Sequence, residues 1–225
     1  MGNGDLKNET DLHFEILPEA TKKAFLKFAE VPWLRSHGWY LAGGTALALQ
    51  AGHRSSVDLD FFTEREDFDE RALEHDLLRT DTWRTDSSER GTLYGVFNKA
   101  KVSFIAYPFF HPSAITKTFG MIDLLSPDDI AVMKIIAVSQ RGRKRDFIDL
   151  YWYCTHLGTL EEILDRLPTQ YPQEHNFSHL LKSLNFFNDA EHDPMPQINF
   201  KVTWTEVKSY FLKEVPLLTR RLLDL

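Results

Sequence analysis

Apolar and polar positions along this chain change period several times, and each change marks an element. From Pro18 to Trp33 the apolar residues Ala20, Phe25, Phe28 and Ala29 form one side of a helix that Pro32 interrupts. Trp39-Tyr40-Leu41-Ala42 is a short apolar run ending at Gly43-Gly44, as a buried strand would. Thr45 to Ala51 then predicts a short helix, with Gly52 as its left-handed terminus, and His53 to Ser56 a polar loop. Val57 to Phe62 alternates apolar and acidic residues, the period-two pattern of a strand. That pattern puts Val57, Leu59 and Phe61 on the core face and both acids on the other.

Asp67 to Leu78 reads as a helix, and Leu93–Phe97 with Val102–Tyr107 as a hairpin around Asn98-Lys99-Ala100-Lys101. From Ser126 onward the pattern is helical. Ser126 caps, Pro127 suits a first turn, and Asp128 and Asp129 favour the positive end of the dipole. Helices are expected over Pro127–Gln140, Arg145–His156, from Leu160, over Phe177–Phe187, and over Val202–Leu223, where Pro216 should kink or split the last one. The expected division is an α/β core over residues 1–125 and a helical domain over 126–225.

Composition narrows the function classes. Lys+Arg 26 against Asp+Glu 33 gives a formal charge of −7, which argues against holding nucleic acid by bulk positive charge. A single cysteine, Cys154, excludes an intramolecular disulfide. The longest apolar run, Ile130 to Val138, is nine residues with Lys134 at its centre, far short of the ~20 that a membrane span needs. The N-terminus has no basic-then-apolar signal pattern. No membrane association and a cytoplasmic location are therefore expected.

The chemistry concentrates between residues 41 and 60. Gly43-Gly44-Thr45 lies where a strand meets a helix, where glycine permits positive φ and the helix offers N–H groups to a phosphate. Fourteen residues after Gly44 comes Asp58-Leu59-Asp60. On a strand the two Cα atoms are about 6.6 Å apart on one face, close enough for both carboxylates to converge on a cation. Two like charges side by side need an offsetting charge, and hard oxygen donors favour Mg²⁺ or Mn²⁺. With Arg54 in the intervening loop, the turn and the acid pair make a candidate nucleoside triphosphate site.

Gly43, Gly44, Thr45, Arg54, Ser56, Asp58 and Asp60 together resemble the nucleotidyltransferase superfamily with the DNA polymerase beta-like fold. Within it the chain is most similar to the AbiEii/AbiGii toxin family. Leu125 to Lys134, followed by the basic-Asp-x-x-Asp-Leu stretch at Arg145-Asp146-Phe147-Ile148-Asp149-Leu150, resembles the same family's helical segment. The resemblance covers roughly residues 38–155. It implies an α+β fold: a mixed sheet with helices, then a helical C-terminal half. It further implies a metal-dependent transfer of a nucleoside monophosphate from a triphosphate to an acceptor hydroxyl. The role implied is a toxin of a bacterial toxin–antitoxin pair, with tRNA or another RNA as acceptor and a cognate antitoxin as partner.

In this reading Asp58 and Asp60 bind Mg²⁺ or Mn²⁺, and Gly43, Gly44, Thr45, Arg54 and Ser56 bind nucleotide. Lys134, Asp146 and Asp149 complete the catalytic set. A lysine alone in an apolar helix needs an anion, either the triphosphate or one of those two acids, which share a helix face. Arg141-Gly142-Arg143-Lys144-Arg145 reads either as a solvated loop or as a clamp for triphosphate or RNA. One departure stands out. The family pattern implies a third carboxylate on the strand Lys101–Tyr107, which has no acid, and Ser103 takes the equivalent place. A serine is no general base near neutral pH. Two alternatives follow: a catalytically impaired nucleotide- or partner-binding module, and an enzyme acting on a small molecule.

Overall fold

The computed structural model describes residues 12–113, 115–173 and 176–222. It divides into two compact units at Ser126/Pro127. Among the described residues no helix is long and apolar enough to cross a membrane.

The first unit is built on one mixed sheet. In chain order its elements are α1 (Glu19–Phe28), α2 (Pro32–Ser36), β1 (Tyr40–Ala42), α3 (Gly43–Ala51), β2 (Leu59–Thr63), α4 (Glu70–Thr80), β3 (Trp83–Glu89), β4 (Thr92–Phe97), β5 (Ala100–Ala106), β6 (Ile115–Phe119) and β7 (Ile122–Leu125). The strand order is β3-β4-β5-β2-β1-β7-β6. The central strand β2 runs antiparallel to β1 and parallel to β5.

Aromatic burial holds α1 to this sheet. Phe28 lies 5.2 Å from Phe61 and 4.4 Å from Phe97, ring centre to ring centre, and Phe61 stacks on Phe104 at 5.2 Å. All four are fully buried. Contacts of this kind add about 0.5–1.5 kcal/mol each beyond their buried area.

Several boundaries differ from the sequence reading. Pro32 starts α2 instead of merely ending α1, because a first-turn proline gives up no needed N–H. β2 begins at Leu59, so Asp58 lies in the loop before it instead of on a strand face shared with Asp60, and Val57 is 49% exposed instead of in the core. The carbonyls of Val57 and Asp58 are taken by the hydroxyls of Thr21 and Thr45, so neither is left for a strand ladder at that point. β3, β6 and β7 had no readable period. β3 is nearly all exposed and polar after Trp83, so there was no apolar face to detect.

The β4–β5 turn is the two-residue Asn98-Lys99, with φ of 49° and 71°. Asparagine tolerates that region, whereas lysine is strained there. Replacing Lys99 with glycine is therefore expected to stabilise the protein by about 0.5–1 kcal/mol, after allowing for glycine's looser unfolded chain. An unchanged or lower urea midpoint would contradict this.

The second unit is helical: α5 (Pro127–Arg141), α6 (Lys144–His156), α7 (Leu160–Gln170), α8 (Phe177–Leu184), α9 (Asn188–Glu191) and α10 (Trp204–Leu222). α10 runs unsplit through Pro216. Its residues Val207, Phe211, Val215 and Leu218 are buried, and Phe147 of α6 gathers Phe187, Trp204 and Phe211 within 6 Å. α7 opens with a capping box: Thr159 Oγ1 accepts from the Glu162 N–H, and Glu162 Oε2 accepts from the Thr159 N–H.

Candidate active site

The glycine turn leaves the sheet directly beside one of the two acids. Ala42 pairs with Asp60 across β1 and β2, and the chain then turns at Gly43 with φ +69°. A Cβ on Gly43 would meet Asp60 Oδ2 at 3.1 Å. Only glycine gives both this backbone conformation and this close approach without strain. α3 follows and closes, as expected, on left-handed Gly52 at φ +65°.

Arg54 covers the second glycine. A Cβ on Gly44 would lie 2.1 Å from Arg54 Nη2, so any side chain there would displace the guanidinium. Arg54 is 3% exposed, and its Nη1 donates to the Ser55 carbonyl at 2.9 Å. A guanidinium at the positive end of a helix makes the local potential attractive to an anion. Thr45 and Ser56 are buried and face each other, with their hydroxyl oxygens 2.8 Å apart. Because Thr45 also donates to the Asp58 carbonyl, its side chain fixes the loop that carries the acids.

The neighbour of Asp60 on β5 is the residue that breaks the expected pattern. Ser103 of β5 is in register with Asp60 of β2, and its buried hydroxyl donates to Asp60 Oδ1 at 2.6 Å. Among the described residues no three His, Cys, Asp or Glu side chains cluster as a metal site. Two carboxylates still suit Mg²⁺, which keeps several waters and is completed by substrate phosphates instead of a full protein cage. The gap at Gly43, which a methyl group would fill against Asp60 Oδ2, fits the same arrangement.

Sequence comparison gives this geometry its family. A model of the AbiEii toxin, described as a nucleotidyl transferase of a type IV toxin–antitoxin system, matches residues 34–92 and 105–222. The chain belongs to the AbiEii nucleotidyltransferase family. A curated relative, an uncharacterized protein of Aquifex aeolicus (strain VF5), is 33% identical over 180 residues, which is 79% of this chain and 86% of that protein. Two solved structures share the fold. One, a candidate nucleotidyltransferase from H. pylori, has a TM-score of 0.54 at 16% identity over 92% of this chain and 98% of its own. The other is MenT4, a nucleotidyltransferase toxin from Mycobacterium tuberculosis H37Rv, with a TM-score of 0.51 at 13% identity over 88% and 86% of the two chains. The α+β class and the nucleotidyltransferase assignment therefore hold.

The remaining three candidates of this AbiEii-family chain meet in the helical unit. Lys134 Nζ is 2.6 Å from Asp146 Oδ1 and 2.7 Å from Asp149 Oδ2. Arg141 Nε joins at 3.1 Å from Asp146 Oδ2. Lys134 is 4% exposed and both acids are fully buried. Burial pushes the Asp146 carboxyl up, but the charges and hydrogen bonds of Lys134 and Arg141 outweigh it and hold it below the usual range.

The basic run is occupied within the same unit. Arg143 pairs with Asp193 at 2.9 Å, and buried Lys144 donates to the Glu191 and Asp193 carbonyls. Arg143 and Lys144 thus tie α6 to the segment that follows α9, and their partners lie some fifty positions away along the chain, beyond what local spacing reveals.

Proposed function

We propose that the protein transfers a nucleoside monophosphate from a nucleoside triphosphate to an acceptor hydroxyl. The bond from the acceptor oxygen to the α-phosphorus forms, and the bond from that phosphorus to the pyrophosphate oxygen breaks. Asp58 and Asp60 would hold Mg²⁺ or Mn²⁺, which when bound neutralises phosphate charge and orients the donor. The backbone of Gly43, Gly44 and Thr45 receives the terminal phosphates, with Arg54 as their counter-charge and Ser56 bracing the loop. Lys134, Asp146 and Asp149 form a buried ion-pair cluster of the helical unit, and their place in the catalytic set rests on the family resemblance alone.

The acceptor we assign is RNA, either tRNA or another RNA. The setting is the bacterial cytoplasm, with a cognate antitoxin as partner. The observation that carries this reading is the approach of Gly43 to Asp60 Oδ2, because a cradle for phosphate and a metal ligand then adjoin.

The test incubates the protein with each α-labelled nucleoside triphosphate, Mg²⁺ and total RNA. Label in RNA that is lost in Asp58→Ala and Asp60→Ala supports the proposal. Ser103 favours a second reading, a nucleotide-binding module without turnover. Calorimetric binding of nucleoside triphosphate with Mg²⁺, without pyrophosphate release across several RNA and small-molecule acceptors, would establish that reading instead.

A further inference from the structure

A short polar contact in the first unit joins Asp60 to a residue that is not an acid. β2 and β5 run parallel, and their register sets Ser103 directly beside Asp60. Ser103 is 4% exposed, so its hydroxyl has little water to turn to, and it lies 2.6 Å from Asp60 Oδ1. An ionised carboxylate only accepts, so the hydroxyl proton must point at Oδ1. A hydrogen bond to an ionised partner is both shorter and stronger than a neutral one. The other oxygen, Oδ2, is the one that a Cβ on Gly43 would meet at 3.1 Å. One oxygen is thereby tied to β5, and the other is set at the glycine turn.

We propose that Ser103 is a positioning residue for Asp60. Its hydroxyl fixes the carboxylate through Oδ1 and so presents Oδ2 to a divalent cation at the Gly43–Gly44 turn. This rests on the reading of Asp58 and Asp60 as the metal ligands. A carboxylate at position 103 would add a like charge directly opposite Asp60, which an adjoining strand tolerates poorly without a second cation. A hydroxyl orients the ligand and adds no charge, so the site works with two acids instead of three. Partners that orient a metal ligand are worth roughly 10–100-fold in metal affinity.

The test measures Mn²⁺ binding to the nucleotide-free protein by electron paramagnetic resonance, for wild type, Ser103→Ala, Ser103→Thr and Asp60→Ala. Thermal melting confirms that each variant is folded. Ser103→Ala is expected to bind Mn²⁺ roughly 10–100-fold more weakly, and Ser103→Thr, which keeps the hydroxyl, within a few-fold of wild type. In turnover, Ser103→Ala should raise the Mg²⁺ concentration needed for half-maximal rate far more than it lowers the rate at saturating Mg²⁺. A folded Ser103→Ala with wild-type Mn²⁺ affinity overturns the positioning role. Wild-type affinity in Asp60→Ala as well would instead overturn the metal-site reading on which it rests.

Discussion

Asp60→Ala is expected to lower nucleotidyl transfer by about a thousandfold or more while leaving the protein folded. The carboxylate is half-buried at the edge of the glycine turn, and its deletion removes one of only two acids proposed to hold the cation. Losing metal stabilisation of the developing phosphate charge costs several kcal/mol, and ~4 kcal/mol corresponds to about three decades in rate. The side chain is half-buried, and its removal takes away the hydrogen bond from Ser103 among its contacts. Asp60→Asn separates charge from shape, because it keeps the volume and an acceptor oxygen for Ser103. It should fall nearly as far as alanine. Substantial turnover in the asparagine variant would mean that the negative charge is not needed.

The second large effect belongs to the helical unit and is one of stability. Lys134→Met leaves Asp146 and Asp149 buried without its charge, while Arg141 still pairs with Asp146. Removing one member of a buried ion-pair set costs about 3–5 kcal/mol, a large share of the ~5–15 kcal/mol that a domain has in total.

The pH dependence has a definite sign. In the wild type the Asp146 carboxyl is held below its unfolded value of 3.8, so its contribution is full above that value and is lost as pH falls through the lowered one. Without Lys134 the largest charge that offsets burial is gone, and the Asp146 carboxyl moves upward. The deficit of Lys134→Met should therefore be largest near neutrality and shrink as the solution is acidified toward pH 4. Equal stability of variant and wild type in urea at pH 7 would show that the cluster does not hold the helices together.

The parts of this site that were legible in sequence are those set by short-range rules. Glycine at a strand–helix junction follows from backbone geometry, and there Gly43 lies against Asp60 and Gly44 against Arg54; the shared strand face of the two acids does not hold, because Asp58 precedes β2. Ser103 takes the place where the family pattern implies a third carboxylate, and the register sets it beside Asp60.

What failed were positions decided by distant partners. Val57 belongs by alternation to the core face. Thr21, 36 positions earlier, takes its carbonyl, and the strand begins two residues later. In the basic run, read either as a solvated loop or as a clamp, Arg143 and Lys144 bind Asp193 and the carbonyls of Glu191 and Asp193, partners that spacing along the chain does not reveal. The edge strand β3 is invisible to pattern reading because a strand exposed on both faces needs no apolar alternation.

The most direct test is a crystal structure with Mn²⁺ and a triphosphate analogue that cannot release pyrophosphate, with the metal located by its anomalous signal. The predicted result is a Mn²⁺ peak within coordination distance of Asp58 and Asp60, with the terminal phosphates on the Gly43–Thr45 backbone beside Arg54. A nucleotide bound elsewhere, or a metal peak that touches neither aspartate, would contradict it.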